Sequence, residues 1–95
     1  RDRLDAVDQR RPAYVLMALG SPTKRSVTIA GHETSISLEP LFWRGLEQAA
    51  RDEGLPVNAL IARIDVERLE VAGRAPNLTS AIRQWLFFRE RGANR

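Results

Sequence analysis

The chain has 95 residues, a net charge of +3 and 43% hydrophobic content, which fits one globular domain and excludes a disordered tail. It contains no cysteine, which removes disulfide frameworks, zinc–thiolate sites and thiol nucleophiles and fits a reducing cytoplasm. No apolar run approaches the roughly 18 residues of a membrane span, so no membrane partner is expected.

The charge is unevenly placed. Residues 1–30 hold six basic and three acidic side chains, whereas residues 31–95 hold nine of each. A mildly basic arm is compatible with a polyanion partner and equally with a solvated segment. The first residue is Arg1 rather than Met, which suggests a trimmed N-terminus and leaves a leader open.

Residues 1–23 read as an N-terminal arm. Leu4 and Val7 are three apart, which suits a helical turn. The longest apolar run, "AYVLMALG" from Ala13 to Gly20, suits a strand or a short helix. Tyr14, Val15, Leu16 and Met17 would otherwise form an exposed apolar strip, so the arm is expected to be ordered in part by docking.

"KRSVTIAGHETSISLE" alternates in β fashion. A turn centred on Gly31-His32 would fold it into a hairpin, although one bent strand also fits. In that hairpin Val27 opposes Ile36 and Thr28 opposes Ser35. One face holds Val27, Ile29, Thr34, Ile36 and Leu38. The other holds Ser26, Thr28, Ser35 and Ser37.

Pro40 suits a first helical position. Phe42, Leu46, Ala49 and Ala50 then form a helical stripe that stops at Gly54. A second helix restarts with Pro56 in its first turn and buries Val57, Leu60, Ile61 and Ile64. "VAGRAPN" is a break. A third helix follows, capped by Asn77 or Thr79, with Leu78, Ile82, Trp85, Leu86 and Arg89 at helical spacing.

The order strand, helix, Gly-containing turn, helix resembles the ribbon-helix-helix superfamily of Arc/MetJ-type DNA-binding repressors. "TSISLEPLF" is similar to that family's alternating ribbon and helix start. "RDEGLPVNALIARI" is similar to its helix–turn–helix joint. The longer run from "KRSVTIAGHETSISLEPLFWRGLEQAA" to "NLTSAIRQWL" resembles an extended subgroup of small bacterial ribbon-helix-helix proteins. The resemblance implies an α+β fold, an intertwined homodimer with antiparallel ribbon pairing. Here it would carry an extra N-terminal strand and a third C-terminal helix, over residues 24–95. Ile36, Leu38, Phe42, Leu46, Val57, Leu60, Ile61 and Ile64 would build a core shared by two chains, because one strand and two short helices do not enclose one.

The resemblance further implies that outward ribbon residues read base edges in the major groove and that the second helix holds a phosphate. Those positions map onto Glu33, Ser35 and Ser37, and onto the Val57 and Asn58 amides after Pro56. Lys24 and Arg25 would reach phosphates, with Thr28 beside the serines. Serine discriminates base edges poorly compared with the forked Arg, Asn or Gln. A four-stranded sheet made from two hairpins would also be too wide to lie flat in a groove about 12 Å across.

His32 is the only histidine and stands without a metal or nucleophile partner, so it reads as an exposed turn residue. Trp43 and Trp85 read as packing residues. "WLFFRERG" has more apolar surface than one helical face needs. The expectation is therefore a non-enzymatic bacterial cytoplasmic repressor that binds double-stranded DNA as a homodimer, without metal or cofactor. The alternative is a protein-interaction module, an adaptor or antitoxin-like protein, using the N-terminal segment or the third helix.

Overall fold

A computed structural model describes residues 20–71 and 73–92. They form, in order, β1 (Thr23–Ile29), β2 (His32–Leu38), α1 (Pro40–Glu53), α2 (Val57–Leu69) and α3 (Leu78–Glu90). The first 19 residues lie outside this description, and with them the expectations for the arm.

The two strands pair antiparallel, with Ile29 opposite His32, Val27 opposite Thr34, Arg25 opposite Ile36 and Thr23 opposite Leu38. The turn is centred on Ala30-Gly31, not on Gly31-His32. Ala30 has φ 52° and Gly31 φ 82°. Positive φ at both central residues marks the turn whose twist matches that of the flanking strands. A turn on Gly31-His32 with that geometry would have forced His32 into the left-handed region instead.

The register is thus two residues away from the expected one. A two-residue slide leaves each side chain on its own face, because the strand period is two. Val27, Ile36 and Leu38 are buried, as alternation predicts, while Lys24, Ser26, Thr28, Glu33, Ser35 and Ser37 are exposed.

Pro40 opens α1 at a position where its missing N–H costs nothing. Gly54 ends it at φ 70°, with the Gly54 N–H on Arg51 and the Leu55 N–H on Ala50. The buried face of α1 is Trp43, Leu46, Ala49 and Ala50. Trp43 therefore takes the place expected for Phe42, which is only half-buried. The Arg83 guanidinium lies 5.7 Å from the Phe42 ring centre.

Pro56 sits one position before α2 rather than inside its first turn, and its carbonyl accepts from the Leu60 N–H. α2 buries Leu60, Ile61 and Ile64. Asn77, not Thr79, caps α3: its Oδ1 accepts from the Ser80 N–H at 2.8 Å. Ala81, Ile82 and Leu86 face inward. The Glu39–Arg83 and Asp52–Arg89 pairs tie the two ends of α1 to α3.

These faces meet in one core. Ile36, Leu38, Leu46, Leu60, Ile61 and Ile64 are 0–3% exposed within a single chain, and Phe42 and Val57 pack at its margin. The resemblance implied a core that two chains share; within the one chain described these residues are already buried, with β1 supplying a second strand and α3 a third helix.

Candidate nucleic-acid interface

The helices pack on the apolar side of the hairpin, which leaves its other side as a separate polar surface. On that surface Lys24 lies opposite Ser37, Ser26 opposite Ser35 and Thr28 opposite Glu33. All six side chains are exposed.

The turn closes with a bond between Ile29 and His32, so the alternate pairs that carry these six residues are the closely spaced, non-hydrogen-bonded ones. Cβ atoms of such partners are about 4.5–5.5 Å apart. The hydroxyl-bearing residues Ser26 and Ser35 are therefore neighbours, flanked by Thr28 and Ser37. Lys24 and Glu33 stand at opposite ends and cancel in formal charge.

Five of the expected site residues share this face: Lys24, Thr28, Glu33, Ser35 and Ser37. Ser26 completes it, although it was not among the expected readers; the same alternation that singled out Ser35 identifies it.

Arg25 does not belong to the face. It lies on the helix side of the strand, where its Nη1 donates to Glu47 Oε2 at 2.9 Å and its guanidinium stacks 4.5 Å from the Trp43 ring centre. Strand alternation turns it away from Lys24, and the carboxylate and indole of α1 hold it there.

Val57 and Asn58 belong to the helix layer. Pro56 offers no side-chain cap, so the first amides of α2 have no partner within their own helix. Asn58 is exposed and Val57 half-buried.

Glu39 follows β2 directly, and its carboxylate accepts from Arg83 through both oxygens at 3.0–3.1 Å. A hydrogen bond with its own backbone, then the Arg83 guanidinium, hold its carboxyl below the usual range. Asp52 is lowered in the same direction by Arg89, with help from Gln48. His32 is exposed beside the turn. Among the described residues no three His, Cys, Asp or Glu side chains gather as a metal site. No helix among them is long and apolar enough to cross a membrane.

A two-stranded ribbon with a polar outward face, backed by helices, defines a small α+β domain of the ribbon-and-helix class. A family model described as a ribbon-helix-helix domain matches residues 22–89, and the chain belongs to that family. Its members are in general DNA-binding regulators or antitoxins and are typically non-enzymatic. Among solved structures, the chain is similar to an uncharacterized protein from Bordetella pertussis Tohama I, with 31% identity and a TM-score of 0.69. The match covers 92% of this chain and 66% of that one. A comparison with curated proteins found no match.

Proposed function

We propose that this protein is a non-enzymatic DNA-binding transcriptional regulator, a bacterial cytoplasmic repressor that acts as a homodimer. The outward hairpin face lies toward the major groove, and the first turn of α2 holds a phosphate. The observation that carries this reading is the uninterrupted polar face of Lys24, Ser26, Thr28, Glu33, Ser35 and Ser37, exposed on a two-stranded ribbon.

A single hairpin, two strands about 4.8 Å apart, suits a groove about 12 Å wide, so this reading requires that the two hairpins of a dimer do not pair into one four-stranded sheet. One chain already provides such a ribbon, so a dimer carries two copies, one for each half of a two-fold operator.

The side chains predict modest discrimination. Hydroxyls pair with either donor or acceptor edges, and Glu33 repels phosphate unless it accepts from a cytosine amino group. Affinity then depends on backbone contacts and falls steeply with salt as counterions are released. Fluorescence polarisation with mixed genomic DNA fragments tests this. Binding at low salt that weakens as salt rises is expected, and no binding at low salt overturns the reading.

A second reading is a protein-interaction module, an adaptor or antitoxin-like protein. The apolar groove between α1 and α3, lined in part by Leu41, Phe87 and Phe88, favours it. A pull-down that recovers only nucleic acid would count against it.

A further inference from the structure

α1 and α3 leave an apolar groove of about 590 Å³ between them. Leu41 and Phe42 line it on α1, Leu86, Phe87 and Phe88 on α3, with Gly45 among them. Leu41, Phe87 and Phe88 are 40%, 57% and 49% exposed. Large apolar side chains gathered along one groove are a cost in water unless something covers them. Phe87 and Phe88 already meet edge to face, with ring centres 5.6 Å apart, so the groove has a stiff aromatic wall.

We propose that the occupant is the chain's own N-terminal strip, Ala13–Leu19, seated along α3. Chemistry and reach each argue for it. The strip reads Ala-Tyr-Val-Leu-Met-Ala-Leu, an uncharged run with one hydroxyl, which matches a groove lined mainly by aliphatic and aromatic carbon.

The chain enters the described fold at the N-terminal end of α1, the end whose Leu41 lines the groove. Thr23 pairs with Leu38 and receives the Trp43 indole N–H. A hydrogen-bonded pair of this kind sets the two Cα atoms about 5.5 Å apart. Three further residues lead from Leu38 to Leu41, at most about 11 Å. Leu41 is thus within about 16 Å of Thr23. The four steps from Thr23 back to Leu19 span up to about 14 Å, and the strip extends beyond that. Its length easily covers the segment of α3 from Arg83 to Glu90, about 10 Å long.

The absence of cysteine makes the test clean. In the full chain, Val15→Cys, Leu16→Cys and Met17→Cys are each combined with Phe87→Cys and oxidised. Leu16→Cys with Ser35→Cys, on the outward ribbon face, is the control. Products are read on non-reducing gels and by mass. At least one Phe87 pair should give a monomer-sized disulfide at least tenfold faster than the control. Disulfide-linked dimers would assign the groove to a second copy and overturn the proposal. A rate no faster than the control would overturn it as well.

A second measurement uses Leu16→Asp in the full chain, with far-UV circular dichroism to follow the helices. Displacement of the strip should raise the fluorescence of a hydrophobic dye severalfold while the helical signal is kept. Unchanged dye binding would sink the idea, whether or not the protein binds DNA.

Discussion

The indole N–H of Trp43 donates to the backbone carbonyl of Thr23 at 2.8 Å. That bond fastens the first residue of β1 to the first turn of α1, and it satisfies the one polar atom of a side chain only 1% exposed. Trp43→Phe keeps most of the ring and loses the bond, so unfolding free energy should fall by about 1 kcal/mol. Trp43→Ala also opens a cavity and should cost about 3–5 kcal/mol. Urea denaturation measures both. A Phe variant as stable as the parent would mean that the bond contributes nothing.

Ala30 is the only non-glycine residue with positive φ among those described. Left-handed backbone costs an ordinary L-residue roughly 1–2 kcal/mol, and Asn pays less. Ala30→Asn should therefore stabilise the hairpin by up to about 1 kcal/mol, which raises Tm by about 4–8 °C in a domain of this size. A calorimetric scan in which Tm falls would contradict the turn assignment.

The two lowered carboxyls make stability depend on acid. In the unfolded chain Glu39 takes up its proton near its ordinary 4.5 and Asp52 near 3.8. In the folded chain both hold out to lower pH. Their contribution is complete above those values and is lost as pH falls from about 4.5 through the lower folded pKa values. Carboxyl NMR should show Glu39 titrating below 4.5. Arg83→Gln should move it back toward that value, and an unchanged titration would rule out the Arg83 contact as a cause.

Folding and self-association should be separable. The core is already covered in one chain, so mass action between protomers contributes little to folding stability. Tm should stay constant across a hundredfold range of protein concentration, even where sedimentation finds dimers. A Tm that climbs with concentration would mean that a second chain completes the fold.

Under the DNA reading, Glu33 opposes binding. Glu33→Arg changes the formal charge of the outward face from neutral to +2 and adds one phosphate or guanine contact. Affinity at low salt should rise, and the slope of log K against log salt should steepen by about 1. Titrations at several salt concentrations measure that slope. A variant that binds no better would argue that the face does not meet DNA.

The residue pattern alone determined the two faces of the hairpin, because side-chain direction alternates along a strand whatever its partner does. It also determined the break at Gly54–Pro56 and narrowed the α3 cap to two residues, since caps and turns depend on a few adjacent groups. Five of the expected site residues share one face for the same local reason. The register was not legible: Ala30-Gly31 and Gly31-His32 both yield the same two faces, and only the paired backbone distinguishes them. Trp43 displaced Phe42 from the core because it reaches the Thr23 carbonyl, 20 positions away. Alternation already puts Arg25 on the side of Val27 and Ile29, but that it meets Glu47, 22 positions away, is a tertiary contact. How β1 and α3 fold over Ile36, Leu46 and Leu60 decided that they are buried within the one chain described. Such long-range contacts leave no period in the sequence, so only the tertiary structure decides them.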